Sequence, residues 1–364
     1  MNICLIGNGL TNILLAKNLV RKKIKVDLFY RKKILDNTSV RTIGITRENL
    51  KFLKKNIFDI EKISWSINQI KVFNETNQSD EILNFSSINE SRFSIVKNHQ
   101  IYNLILKSLK KEKNFSKKII NKKSFYSSII CNKKYDLIIN SELNNEISKN
   151  FFFNKINKKY YSLAYTTIIN HQNCENRTAT QIFTNIGPIA FLPISKTETS
   201  IVFSILGDES SINENKIRDL IIKYNNNYKI KSFNKFEKFN LKFCSLRKYY
   251  HNNILSFGDN LHQIHPLAGQ GFNMTIRDIK VLSKLIDEKL ELGLSLDSSI
   301  LKMFEKKTKH LNFIFGFGID FIHEFFKFDN KLGNNYSKKI FKLLGKNKFF
   351  NDYINKFSDR GLAI

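Results

Sequence analysis

The chain has 364 residues, 42% of them hydrophobic, with 60 Lys and Arg against 32 Asp and Glu for a formal net charge of +28. That length buries a sizeable core and accommodates two domains, or one with an inserted part. The lysines are spread along the whole chain among Asn and Ile, which argues against a nucleic-acid partner despite the charge. Cys4, Cys131, Cys174 and Cys244 are scattered without a Cys-x-x-Cys spacing, and no His or carboxylate cluster joins them, so neither a disulfide framework nor a metal site is expected. No apolar run approaches the roughly 18 residues a spanning helix needs.

In chain order, residues 1–29 read strand, glycine turn, helix, strand: Ile3 to Ile6, then Gly7-Asn8-Gly9-Leu10-Thr11-Asn12, then Leu14 to Val20, then Lys25 to Phe29. This is a βαβ opening of the dinucleotide-binding kind, with Gly7 and Gly9 at the turn. Asn12 stands where a third glycine is usual. The carboxylate expected at the end of the second strand is replaced by Tyr30, and Asp27 lies inside the strand, pointing elsewhere. Since the chain starts directly on a strand pattern, no targeting segment is expected ahead of the fold.

Trp65 to Ile67, Ile70 to Phe73 and Leu83 to Phe85 alternate as strands of a second sheet. A helix is predicted from Gln100 to Lys111 on the apolar face Ile101, Leu104, Ile105 and Leu109. Tyr126 to Cys131 and Asp136 to Ile139 read as a hairpin. Strands follow at 163–169, 178–183, 189–194 and 200–205, then a helix at 216–228. The chain is expected to return to the first domain through 243–248 and 254–257. The predicted arrangement is an α/β protein with a Rossmann-like domain in three pieces (1–64, 91–159, 243–292), a β-sheet domain inserted into it (65–90, 160–242), and a helical C-terminal region (293–364). Phe313, Phe315, Phe317, Phe321, Phe325, Phe326 and Phe328 crowd the last of these. They form either a packed core stripe or, with the surrounding lysines, a surface facing anionic lipid.

The most informative stretch runs from Gly258 to Asp278: a short apolar strand, a loop carrying Asp259, His262, His265 and Pro266, and a Gly269-Gln270-Gly271 turn that opens a helix. A helix start of this kind is a ready anion site. A second stretch, Gly187-Pro188-Ile189-Ala190-Phe191-Leu192-Pro193, holds two of the three prolines, Pro266 being the third, so these positions call for a fixed φ or a missing donor.

Both stretches resemble the FAD-dependent hydroxylases of ubiquinone biosynthesis, which share the para-hydroxybenzoate hydroxylase fold of class A flavoprotein monooxygenases. Arg41-Thr42 resembles that family's Arg-Thr segment near the flavin. The likeness implies FAD as cofactor and NADH or NADPH as reductant. It implies oxygen transfer from a flavin C4a-hydroperoxide to a polyprenylated phenol, with O2 as co-substrate. By the same resemblance, Gly7, Gly9, Arg41, Asp259, Pro266, Gly269, Gly271 and Asn273 would hold the cofactor, and Arg41, Pro266, Gly269, Gln270 and Gly271 would sit at the reacting end. His262 and His265 are expected to hold the loop, because hydroxylation of this kind needs no side-chain nucleophile. The sequence departs from the family at Asn260-Leu261, where two alanines are usual, and at Asn140-Ser141-Glu142-Leu143, where the family has Gly-Ala-Asp-Gly. Two alternatives stand beside this reading: a non-catalytic homologue serving as partner in a quinone-biosynthesis complex, and a flavin monooxygenase for another aromatic substrate. The expected location is cytoplasmic, peripheral on the inner face of the membrane.

Overall fold

The computed structural model describes residues 1–32, 40–75, 81–86, 93–121, 125–131, 134–207, 212–265 and 270–332. Pro266, Gly269 and the closing segment 352–362 lie outside them. Along the chain come β1 (Asn2–Ile6), α1 (Leu10–Arg21), β2 (Lys25–Tyr30), β3 (Thr42–Thr46), α2 (Arg47–Asn56), β4 (Trp65–Ile67) and β5 (Gln69–Asn74). Next are β6 (Glu81–Ser86), β7 (Phe93–Lys97), α3 (Asn98–Leu109), β8 (Phe115–Ile119), α4 (Phe125–Cys131), β9 (Leu137–Asn140) and α5 (Glu146–Phe151). The middle of the chain gives β10 (Lys155–His171), β11 (Thr178–Thr184), β12 (Gly187–Pro193), β13 (Glu198–Leu206), α6 (Glu214–Tyr224), β14 (Ile230–Phe233) and β15 (Glu237–Leu246). It closes with β16 (Tyr250–His251), β17 (Ile254–Ser256), β18 (His262–Gln263), α7 (Gln270–Glu291) and α8 (Ser298–Leu332).

Three sheets result. The first runs β16-β17-β9-β1-β2-β8, parallel apart from the β16 edge. Its central strands β1, β9 and β17 are buried and read as mainly apolar runs, as a parallel sheet covered by helices requires. Ile3, Leu5 and Ile6 of β1 and Leu137 and Ile139 of β9 pack with Ile13, Leu14 and Leu19 of α1 and Ile101 and Ile105 of α3 in the largest core cluster. The second sheet runs β18-β15-β10-β13-β12-β11-β5-β6, with β14 beside β10. Helix α6 covers it through Ile217, Ile221 and Tyr224. The third sheet is β3-β7-β4. The molecule is therefore an α/β protein whose Rossmann-like sheet draws strands from both sides of a large, mainly antiparallel sheet.

The structure corrects three expectations. Residues 125–131 are helix α4 rather than a hairpin arm. Tyr126 and Ile129, three apart, bury one helical face, and a short apolar run carries no periodicity strong enough to say so beforehand. Trp65 to Ile67 pairs with β7 in the small sheet, away from β5 and β6. Strand β15 belongs to the large sheet through its long pairing with β10, so the chain rejoins the first sheet only at β16.

Register determines what sits at the end of the first sheet. Ile6 of β1 is level with Phe29 of β2 and Asn140 of β9, and Asn140 is level with Ser256 of β17. The three connections leaving β1, β9 and β17 therefore emerge side by side, at the carboxyl edge where open α/β sheets bind ligands.

Candidate functional site

Gly7 leaves β1 at φ +114°, and its amide donates to Phe29 O at 2.8 Å. A Cβ at Gly7 would lie 2.7 Å from Ser141 Oγ, so the backbone conformation and the space both select glycine. Gly9 caps α1 without a side-chain hydrogen bond, and a Cβ added there would meet nothing within 4 Å. The amino end of α1 therefore opens onto free space. Asn12, fully buried one turn in, donates its amide to Ile6 O and Gly7 O, both at 2.9 Å. It fills the usual glycine position and ties the turn to the strand end.

The second connection is built on the same amide chemistry. Asn140 Nδ2 donates to Ser148 Oγ at 2.8 Å, and Asn145 Nδ2 donates to Asn140 Oδ1 at 2.8 Å. Ser148 Oγ donates to Glu142 O at 2.6 Å, and Asn145 Oδ1 caps α5 by accepting from Ser148 N. Asn260, in the third connection, donates to the same Ser148 Oγ at 2.9 Å and accepts from Lys155 Nζ at 2.9 Å. The departures at Asn140 to Leu143 and at Asn260 are thus two halves of one buried network. A Gly-Ala-Asp-Gly turn at 140–143 with alanine at position 260 could not form it.

At the far end of β2, Lys117 Nζ lies 4.7 Å from the centre of the Tyr30 ring and donates to Tyr102 OH at 3.2 Å. Tyr102 OH donates to Asn8 Oδ1 at 2.6 Å. Burial, with Lys110 nearby, holds the Lys117 ammonium below its ordinary pKa. Asp27 faces the other way. Burial works to raise its pKa, but hydrogen bonds from Ser116 and Tyr135 and the Lys118 cation prevail and hold it below the usual value. Asp27 therefore pins β8 and the β9 approach, leaving a cation and two tyrosines where a carboxylate is usual.

The third connection carries Asp259. Gly258 turns at φ +62° against Thr11 of α1, and Leu261 O accepts from Leu246 N at 2.8 Å, joining the loop to β15 and hence to the large sheet. Asp259 is exposed, yet burial raises its pKa, with His262, Arg41 and Lys242 working in the opposite direction. Arg41, just ahead of β3, is one of the cations acting on Asp259; its Nε donates to Glu237 Oε2 at 3.3 Å, and its guanidinium lies 5.0 Å from the Phe239 ring centre.

Helix α7 opens at Gln270, which is buried, followed by Gly271. Asn273 is fully buried and its amide is committed to protein: Oδ1 accepts from Thr46 N at 3.0 Å and Asn49 Nδ2 at 2.9 Å, and Nδ2 donates to Gly44 O at 2.9 Å. The side chain of Asn273 thus fastens the first turn of α7 to β3 and α2. His262 and His265 are both buried. His262 Nε2 pairs with Asp278 Oδ2 at 2.7 Å, and the His265 ring meets Tyr160 edge-on at 5.3 Å. Sequence reasoning gave no role to Asp278, Asn312 or Lys155. Each is an ordinary polar residue until the fold places it. Among the described residues no group of His, Cys, Asp and Glu is arranged to hold a metal ion.

Solved structures superpose on this architecture almost end to end. The p-nitrophenol 4-monooxygenase PnpA of Pseudomonas putida matches with a TM-score of 0.78 at 11% identity, covering 100% of this chain and 98% of that one. HpxO of Klebsiella pneumoniae, solved with FAD and uric acid, matches with a TM-score of 0.75 at 12% identity over 99% and 96%. The fold is that of the FAD-dependent monooxygenases. Residues 143–346 match the model of the squalene epoxidase family, and the chain belongs to that family of flavoprotein monooxygenases. Curated relatives include the mitochondrial ubiquinone biosynthesis monooxygenase COQ6 of Dictyostelium discoideum, 23% identical over 89% of this chain and 84% of its own length. The Caenorhabditis elegans COQ6 is 22% identical, and there the match spans only half of each protein. The ubiquinone hydroxylase UbiL of Rhodospirillum rubrum is 24% identical over 37% of this chain.

The residues present fit FAD: open space over Gly9 at a helix start suits a pyrophosphate, and Asp259 offers an exposed acceptor in the connection after β17 at the same sheet edge.

Proposed function

We propose that this chain is an FAD-dependent monooxygenase that hydroxylates the ring of a polyprenylated phenol in ubiquinone biosynthesis, using O2 and NADH or NADPH. The observation that carries the reading is Asp259, an exposed carboxylate in the connection after β17, beside the glycine turn after β1 at the level ends of three parallel strands. Bound and reduced, FAD supplies the chemistry that side chains lack, activating O2 and delivering one oxygen atom to an electron-rich ring.

The chain's own part is to bind, orient and exclude water. Gly7 and Gly9 would let the backbone approach the pyrophosphate. Asp259 would accept hydrogen bonds from the ribityl chain, with Arg41 offsetting its charge. By the resemblance, Pro266, Gly269, Gln270 and Gly271 would supply the ring-side contacts. The amino end of α7 there carries about half a positive charge, which favours a negatively charged ring edge by roughly 0.3–2 kcal/mol. Asn273 holds that helix end in place. Phe183 of the large sheet packs with Met274 of α7 and Phe315 and Ile319 of α8 in a buried apolar cluster that joins the sheet to the two helices.

No helix among the described residues is long and apolar enough to cross a membrane. A prenylated substrate nonetheless lives in lipid, and α8 offers a means of reaching it. Phe313, Ile314, Phe317 and Phe321 are 40%, 51%, 55% and 63% exposed, and Lys306, Lys307 and Lys309 are exposed on the turns before them. Apolar side chains beside cations suit the interface of an anionic bilayer. Phe325, Phe326 and Phe328 lie outside the described side chains.

Purified protein carrying flavin absorbance that is bleached by NADH or NADPH, and whose gene restores growth of a quinone-deficient host, is the expected result. Colourless protein that takes up no added FAD would instead leave the chain as a non-catalytic partner of a quinone-biosynthesis complex. Bleaching without rescue would turn attention to another aromatic substrate.

A further inference from the structure

Residues spaced by four along one ridge of helix α8 meet the elements that carry and flank the Asp259 loop. Asn312 Nδ2 donates to Asp278 Oδ1 at 3.0 Å, and Asp278 Oδ2 pairs with His262 Nε2 at 2.7 Å. One turn on, Gly316 lets the helix touch the loop: a Cβ there would stand 3.1 Å from Phe243 and 3.3 Å from Ile264. Another turn on, Asp320 binds Lys158 Nζ at 3.0 Å, on the strand that carries Tyr160 against His265. Asp278 and His262 are almost fully buried, so neither finds a substitute partner in water.

We infer that α8 is a positioning element for the cofactor-binding carboxylate: through Asn312, Asp278 and His262 it fixes the 258–265 loop and so sets how tightly Asp259 holds FAD. The inference rests on the proposed function. Asp259 and His262 are three residues apart on one short loop, and His262 is held from behind by a carboxylate that is itself oriented by Asn312. Second contacts of this kind decide where a binding group points, and loss of one leaves a buried charge misdirected. The groups facing His262 and Asp259 are Asp278 from α7, Asn312 from α8, Arg41 ahead of β3 and Lys242 from β15.

The test is FAD titration of the stripped full-length chain, followed by quenching of flavin fluorescence and by the shape of the bound absorption band, with melting of the apoprotein measured alongside. Asn312→Ala and Gly316→Val are expected to weaken FAD binding about tenfold or more, the worth of one charge-assisted hydrogen bond. They should also alter the band shape, while Asn312→Asp, which repels Asp278, should be worse than alanine. Phe317→Ser, on the same helix but outside the ridge, should leave affinity and band unchanged. FAD affinity and band shape unaltered in both Asn312→Ala and Gly316→Val would overturn the inference alone. A wild-type chain that takes up no FAD would overturn the proposed function, and this with it. If Gly316→Val lowers the apoprotein melting temperature sharply, Asn312→Ala, which removes no packing of consequence, decides.

Discussion

The sheet end and the loop end of the site are built in opposite ways. At the sheet end, the residues differ from those the resemblance leads one to expect, yet the structure is tightly self-consistent: Asn12, Asn140, Asn145, Ser148 and Asn260 hydrogen-bond one another and the strand ends. At the loop end, most residues match what is expected, yet the pair His262 and Asp278, both within the motif, is held from outside it by Asn312 of α8. A motif departure is therefore no measure of lost structure, because an amide network can replace a glycine turn. Nor is a preserved motif self-sufficient, because its geometry is fixed by residues tens of positions away.

Breaking the sheet-end network should give the largest effect. Asn140→Ala leaves Asn145, Ser148 and the Glu142 backbone short of partners inside the core, and a loss of about 2–4 kcal/mol is expected in urea unfolding. Asn260→Ala restores the family's residue but removes one of the three partners of Ser148 Oγ and the acceptor of Lys155, so a smaller loss of roughly 1–3 kcal/mol should follow. If both changes proved neutral, the network would be ornamental and the comparison between the two ends would collapse.

Asp259→Asn separates binding from folding. Burial raises the carboxyl's pKa above its unfolded value, so the ionised form is a cost to the fold. The cost appears as pH rises above the unfolded pKa and is complete above the folded one. The Asp259→Asn apoprotein should therefore match wild type in acid and melt higher at neutral pH, while taking up less FAD. Equal or lower melting at neutral pH would show that the fold does not disfavour the ionised carboxylate.

Asn12→Gly probes whether the filled glycine position is equivalent to an empty one. Two hydrogen bonds are lost and glycine enters the first turn of α1, but a buried amide oxygen without a hydrogen bond goes with them. A loss within about 1 kcal/mol is expected, with FAD affinity kept. The smallest effect on the fold belongs to Phe317→Ser and Phe321→Ser, which should leave melting unchanged within about 0.5 kcal/mol. Those two changes should reduce co-sedimentation with anionic vesicles. Binding to such vesicles that is indifferent to them would remove α8 as the lipid-facing surface.

Much of this was legible in the residues. The β1-α1-β2 unit announces itself through an apolar strand, a glycine turn and a helical period, all local signals. Asp259 and the turn before α7 were readable as a motif. Tyr126 to Cys131 was misread because six residues cannot distinguish a helix from a strand by pattern, and packing of Tyr126 and Ile129 decided it. Strand β15 was assigned to the wrong sheet because pairing partners are nonlocal: it belongs beside β10, some 80 residues earlier, by register alone. Asn273 was readable as part of its motif, and only the approach of Thr46, Asn49 and Gly44 shows what its amide fastens.

By itself, then, the sequence determined the periodicities, the glycines that turn at the strand ends and the carboxylate placed after β17, because these depend on neighbours within a few residues. The tertiary structure alone decided that three connections end level with one another, that two apparent departures join into one network, and that a distant helix steadies the His262 loop. Such facts rest on register and on contacts between residues far apart in the chain, where the energy of a buried hydrogen bond depends on a partner that no local pattern names.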